Sequence, residues 1–342
     1  MRYRTLGASG LRVSELILGA MTFGEQGGVG APLPECRLML DLYAEAGGNM
    51  IDTAVNYRDG ASEEFLGELL KGRRESFVLG TKYTVSRART DPNAAGNHRK
   101  NLRASLETSL RRLRTDYLDL YWVHMWDRHT PIEETMRALD DAVQAGKVLY
   151  VGISDAPAWV VSRANTLAQW HGWSPFIGLQ VPYSLLQRDI ERELLPMAES
   201  LNLGVTAWSP LAGGVLSGKY TRPDGPAAGV RLAAESLSDR DHAVARVVQE
   251  VADDLGATPS QVAIAWTMSR SRAVHPVIGA RRADQLRDNL AAIDLVLPPE
   301  SDARLEAASG FTLGFPGDFI AETSPWVFGS ALIDPHPATT TR

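Results

Sequence analysis

The sequence predicts a single (β/α)8 barrel of the α/β class, and three observations carry that reading. Short apolar runs alternate with amphipathic helical stretches along most of the chain, the order that builds a parallel sheet wrapped in helices. The runs number eight, which favours a closed barrel over an open doubly wound sheet. The glycine spacing of a dinucleotide-binding open sheet is missing after the first run, where the chain reads Leu18-Gly19-Ala20-Met21-Thr22-Phe23-Gly24.

The elements follow in order. Tyr3–Thr5 and Arg12–Ser14 flank Gly7-Ala8-Ser9-Gly10 and predict a β-hairpin closing the bottom of the barrel. The strands are expected at Leu16–Leu18, Asn49–Thr53, Phe77–Thr81, Tyr117–Val123, Val148–Ile153, Ile177–Val181, Gly204–Ala207 and Val274–Ile278. Between them, Leu102/Leu106/Leu110/Leu113, Ile132/Met136/Leu139/Val143 and Val244/Val247/Val251/Leu255 each form one apolar helix stripe. Residues 219 to 239, rich in Gly, Pro and Ala, predict a long loop after the seventh strand, of the length that commonly serves as a functional clasp. From Gly310 onward Gly, Pro and aromatics mix without period, and the final eight residues are expected to fray. The expectation is one domain over residues 1–342, with the barrel core at about 15–294 and the tail 310–342 partly over the pocket.

Composition narrows the function. At 342 residues the chain exceeds a minimal barrel of about 250, which leaves room for that loop and tail. An apolar share of 44% supports a large core. With 35 basic and 41 acidic residues, the net charge of −6 argues against a nucleic-acid or anionic-membrane surface. Cys36 is the lone cysteine, which excludes an internal disulfide and a multi-cysteine zinc site. Met1 to Arg12 lacks the apolar core of a signal peptide, and no apolar run is long enough to span a membrane. A cytoplasmic protein without membrane insertion is expected, with a homo-oligomer left open. Five lysines stand among the 35 basic residues, so each lysine is an unusual choice.

Reactive groups of a barrel sit where strands end. Asp52 ends the second strand, with Tyr57 five residues on; Lys82 ends the third and His124 the fourth. Taken singly, Asp52 reads as a turn cap, Lys82 as a rim charge and His124 as a hydrogen-bonded core histidine. Together they bring an acid, an amine, an imidazole and a phenol to one rim, on strands about 4.8 Å apart. No metal-ligand cluster and no glycine-flanked serine accompany them. A phenol beside an ammonium is the interesting pair, because a nearby cation lowers a phenol pKa that is otherwise near 10. Such a set protonates a carbonyl oxygen as hydride arrives at the carbon. A hydride donor needs a site, and the corner after strands seven and eight supplies glycines, Trp208 and Lys219, then Gly279, Arg281 and Arg282 before a helix start.

These motifs resemble the aldo-keto reductase superfamily from about Arg4 to about Asp294. Asp52-Thr53-Ala54, Tyr57 and the segment Gly60 to Gly67 are similar to its first signature; Asn101 to Leu113, continuing through Asp116 to His124, is similar to its second. The resemblance implies a NADPH-dependent oxidoreductase in which Tyr57 is the general acid, Asp52 and Lys82 tune it, and His124 orients the carbonyl. It implies contacts to NADP(H) from Gly19, Met21, Ser154, Asp155, Gln180, Trp208, Ser209, Pro210, Leu211, Gly213, Lys219, Arg231, Gly279, Arg281, Gln285, Asp288 and Asn289. Ser154, Asp155 and Gln180 fall at the nicotinamide carboxamide, and Trp208 falls where an aromatic stacks on the ring. Gln285, Asp288 and Asn289 fall at adenosine-binding positions, while Lys219, Arg231 and Arg281 are placed to take a 2′-phosphate. Trp208 with its following residues is similar to the branch that includes bacterial general-stress reductases and potassium-channel β subunits. The expected substrate is an aldehyde or ketone with a bulky apolar or aromatic group, walled by Met21, Tyr83, Met125 and Trp126, with Trp326 or Phe328 from the tail. The alternatives are an NADPH-binding, redox-sensing regulatory subunit of a membrane partner, and a barrel lyase or hydrolase working through the Asp–Lys pair without nucleotide.

Overall fold

Two short strands, β1 (Tyr3–Thr5) and β2 (Arg12–Ser14), pair antiparallel as the expected hairpin. The computed structural model describes residues 1–26, 30–88, 90–221, 236–329 and 331. Arg231 and most of the expected clasp lie outside the described residues. Eight parallel strands follow: β3 (Ile17–Gly19), β4 (Met50–Asp52), β5 (Val78–Tyr83), β6 (Leu118–Val123), β7 (Val148–Ser154), β8 (Phe176–Pro182), β9 (Gly204–Trp208) and β10 (Val274–Ile278). They close in the order β10-β3-β4-β5-β6-β7-β8-β9, so the barrel is complete and leaves no free sheet edge.

Helices follow the strands. They are α1 (Leu33–Glu45), α2 (Ala61–Leu69), α3 (Arg99–Leu113), α4 (Ile132–Gln144), α5 (Ala158–His171) and α6 (Leu194–Ser200) after β3 to β8. Then α7 (Asp239–Leu255) and α8 (Pro259–Ser269) follow β9, and α9 (Ala283–Leu290) follows β10. Leu102, Leu106, Leu110 and Leu113 are all buried against the strands, as their spacing requires. Ser238 with Asp241, and Thr258 with Gln261, form capping boxes that fix where α7 and α8 begin.

Two apolar layers result. The larger lies between strands and helices; the smaller fills the barrel and joins Leu6 and Val13 of the hairpin segment to Ile17, Met50, Val78, Leu120, Trp122 and Ile177. Trp122 closes the barrel beneath the strand ends. A Cβ on Gly152 would stand 2.4 Å from its ring and one on Gly178 2.9 Å, so neighbouring strands carry glycine where the indole needs the space.

Past α9 the chain adds α10 (Pro299–Ser309) and α11 (Gly317–Phe328). Arg188 grips α10 through Glu306 and Ser309, and Arg192 donates to the carbonyl oxygens of Thr312 and Leu313. Beyond that point α11 buries none of its residues. Trp326 is 82% exposed and Phe328 50%, so the helix does not bury its apolar side chains against the barrel.

Candidate active site

The strand ends converge as the sequence anticipates. Asp52 is the last residue of β4, Lys82 lies next to last in β5, and His124 follows β6. Lys82 is fully buried, and its Nζ donates to Asp52 Oδ2, to the carbonyl oxygen of Thr53 at 2.7 Å and to the Tyr57 hydroxyl at 3.3 Å. Gln180 Nε2 donates to Asp52 Oδ1 at 3.1 Å and to Thr206 Oγ1 at 3.1 Å. Both oxygens of this buried carboxylate are therefore engaged, which is what a charged group out of water requires.

Tyr57 sits in the tight turn between β4 and α2. Its ring meets His124 edge-on, with centroids 5.7 Å apart and planes at 79°. The backbone N–H of His124 donates to Thr84 Oγ1 at 3.2 Å, which fixes where the imidazole leaves the strand. Burial, reinforced by the Lys82 charge, pushes the His124 pKa down to about 3, so the ring is neutral across the physiological range. For Tyr57 the expectation from sequence is incomplete. Burial pushes its pKa up and outweighs the lowering by Lys82, so the phenol keeps its proton. Burial alone would lower the Lys82 pKa, but Asp52 and Tyr57 together raise it, and the amine stays an ammonium.

Of the expected pocket residues, Met125 and Trp126 lie past the end of β6 and Tyr83 packs away from the barrel interior. Met125 is 42% exposed at the rim, and Trp126 meets Trp159 of α5 edge-on with centroids 5.6 Å apart. Tyr83 is not a wall. The period of two along β5 turns Lys82 inward and Tyr83 outward, where it stacks on Tyr121 in the strand–helix layer and donates to the carbonyl oxygen of Asn97. Met21 lies beyond β3, its carbonyl oxygen accepting from Arg58 Nε, and Gly19 pairs with Asp52 in the barrel.

The residues expected to hold a cofactor fall along the adjoining rim. Ser154 pairs with Gln180 and Gln180 with Thr206, while Pro182 pairs with Trp208, so β7, β8 and β9 end side by side. Trp208 is 37% exposed and its Nε1 donates to Asp155 Oδ1 at 3.2 Å. Past Pro210 and Leu211 the chain turns sharply, with Ser209, Ala212, Gly213 and Gly214 all at positive φ. Ser209 Oγ accepts from the Gly213 N–H at 3.0 Å, and the Lys219 ammonium folds back to within 2.3 Å of where a Gly214 Cβ would stand. At the end of β10, Gln285 accepts from the Arg281 N–H at 3.1 Å, and Asn289 donates to the carbonyl oxygen of Gly279. Asp288 accepts from Thr258 and Gln261, which ties α9 to the start of α8. A loop of small residues, a lysine and an exposed indole suits a dinucleotide, because backbone can approach its phosphates and a flat face can meet its ring. Thr206 and Thr84 were not anticipated from sequence. The inward register of Thr206 opposite Gln180 was the available signal; Thr84 carried none, since its φ of 93° shows only in the fold.

The aldo/keto reductase family pattern matches residues 15–309 of the chain. The chain belongs to the aldo/keto reductase family. This aldo/keto reductase is 39% identical to a norsolorinic acid reductase of Emericella nidulans, over 96% of its own length and 86% of the relative's. It is 38% identical to an aryl-alcohol dehydrogenase of Pestalotiopsis microspora, over 93% of its length and 85% of the relative's. A putative aryl-alcohol dehydrogenase of Saccharomyces cerevisiae is 35% identical, with 94% and 90% covered. The protein is an oxidoreductase acting on carbonyl groups, in a family that generally uses NAD(P)H with small-molecule substrates. Among the described residues no helix is long and apolar enough to cross a membrane, and no metal-binding cluster of His, Cys, Asp and Glu occurs.

Proposed function

We propose that this aldo/keto reductase reduces an aromatic or bulky apolar aldehyde or ketone to its alcohol with NADPH, taking the proton from Tyr57. The observation that supports this best is the Tyr57 hydroxyl 3.3 Å from a buried ammonium that Asp52 holds in place. A bound reduced nicotinamide supplies hydride to the carbonyl carbon. Tyr57 gives its proton to the carbonyl oxygen, and the phenolate left behind is stabilised by Lys82 until solvent restores the proton. His124, neutral, donates a hydrogen bond to the same oxygen and keeps it facing Tyr57. In the reverse direction the phenolate is the base.

Ser154, Asp155 and Gln180 hold the carboxamide in this reading, Trp208 meets the ring, and Ser209, Pro210, Leu211 and Gly213 line the pyrophosphate. Lys219 and Arg281 face the 2′-phosphate, and Gln285, Asp288 and Asn289 the adenosine. Met21, Met125 and Trp126 receive the substrate. The names of the relatives, reductases of norsolorinic acid and dehydrogenases of aryl alcohols, support an aromatic group beside the carbonyl.

The test is Tyr57→Phe, assayed with a panel of aromatic aldehydes and ketones and NADPH. The expected result is a loss of roughly 10²- to 10⁴-fold in kcat, with NADPH still quenching tryptophan fluorescence. Full turnover by that variant would refute the assignment.

A further inference from the structure

One buried carboxylate beside the site takes no part in the chemistry described so far. Glu63, in the first turn of α2, is fully buried. Its Oε1 accepts from Thr81 Oγ1 at 2.7 Å, and its Oε2 accepts from Arg112 Nη1 of α3 at 3.2 Å. The same Nη1 donates to the carbonyl oxygen of Val55 at 2.7 Å. The guanidinium lies against Gly60 so closely that a Cβ there would stand 2.3 Å from its Cζ.

Each of these contacts lands next to a reacting group. Thr81 immediately precedes Lys82 on β5. Val55 and Gly60 bracket the turn that carries Tyr57, and that turn is strained: Arg58 and Asp59 have φ of 52° and 55° and Gly60 has 99°. Left-handed backbone is strained for a non-glycine residue and persists only where surrounding contacts hold it. On one side Arg58 donates to the carbonyl oxygens of Met21 and Gln26. On the other side stands Arg112, fixed in turn by Glu63.

We propose that Glu63 and Arg112 are positioning residues that set the separation between the Tyr57 hydroxyl and Lys82 Nζ. Glu63 ties the strand bearing the ammonium to the guanidinium that pins the turn bearing the phenol. Neither touches substrate. A shift of about 1 Å in such a pair is enough to cost roughly 100-fold in rate, because proton transfer demands close alignment. The kinetic part of this inference rests on Tyr57 being the acid, whereas its geometric part does not.

The experiment uses Arg112→Lys and Glu63→Gln in the full chain, each read in two ways. In the free protein, Tyr57 is titrated by ultraviolet tyrosinate absorbance, as the difference from Tyr57→Phe. As the phenol drifts from Lys82, its midpoint moves up by about one pH unit. In turnover, kcat falls roughly 10- to 100-fold while KM and the NADPH Kd stay within about twofold. Cooperatively folded variants with a lower Tm but unchanged titration and kcat overturn the proposal, since the pair then only clamps α2 to α3. If neither variant folds, Thr81→Val removes a single hydrogen bond; it must move the titration the same way, and an unchanged midpoint overturns the proposal. The titration needs neither substrate nor cofactor, so active Tyr57→Phe would sink the catalytic reading and leave this one to be decided by its own measurement.

Discussion

Gln180 reaches across the barrel to Asp52. Its Nε2 sits 3.1 Å from Asp52 Oδ1, although β8 and β4 stand opposite each other in the closed ring and the residues are 128 apart in sequence. The contact orients the carboxylate from the side that Lys82 does not occupy. Gln180→Leu leaves a buried carboxylate oxygen and the Thr206 hydroxyl short of a partner, at about 1–3 kcal/mol. A fall in the urea midpoint with little change in m-value is expected; an unchanged midpoint would show that the bond stabilises nothing.

Lys82→Met removes the cation and leaves Asp52 buried and charged. Breaking one partner out of a buried pair costs about 3–5 kcal/mol. Tm falls by several degrees, and carbonyl reduction drops below detection even in the fraction that is folded. A variant as stable as the parent would mean that Asp52 tolerates burial unaided.

With Tyr57 as the proposed acid, its ionisation sets the pH dependence of reduction. Its pKa is raised by burial, so the acid form is already populated at neutrality and persists beyond the ordinary phenol value near 10. His124 is neutral above about pH 3. The kcat/KM of reduction is therefore level through the neutral range and falls only in strong alkali. A decline centred near pH 7 in a stopped-flow profile would contradict the protonated-phenol starting state.

Stability depends on pH through a different histidine. His275 of β10 is buried, its pKa pushed down to about 4 by burial first and by Arg4 second. The unfolded chain takes up that proton below about 6.5 while the native one does not, so stability is complete above about 6.5 and drains away as pH falls toward 4. The difference amounts to about 3 kcal/mol from this group, with His124 acting in the same sense. Urea melts at about pH 7 and about pH 5 check it; His275→Asn flattens the dependence.

In the proposed reading Arg281 faces the 2′-phosphate. Arg281→Ala is expected to raise the NADPH Kd roughly tenfold, the loss of one charge-assisted contact, and to leave NADH binding unchanged. Fluorescence titration with both nucleotides measures the ratio; equal losses for the two would assign Arg281 elsewhere.

The barrel was legible because its signals are local. Each strand is an apolar run such as Val148–Ile153, and every one was found again within one or two residues of its expected bounds. The convergence of Asp52, Tyr57, Lys82 and His124 was legible because a barrel puts strand ends on one rim. Tyr83 was misread because adjacency in sequence to Lys82 was taken for adjacency in the pocket, while a strand sends neighbours to opposite faces. The exposure of Trp326 and Phe328 was not legible, because composition marks a segment as apolar without saying what it packs on. The protonation of Tyr57 depends on how deeply the turn is buried, a quantity the sequence does not contain.

Trp122, wedged among glycines below the strand ends, divides the molecule into two workshops. Beneath it, Leu6, Val13, Ile17 and Met50 answer only to packing. Above it, the loops answer to chemistry. Where a substitution in one set shares no contact with one in the other, their effects on free energy should sum. A protein built this way can change its substrate without renegotiating its foundations, and two mutant libraries, one for heat and one for specificity, can be selected separately and then combined.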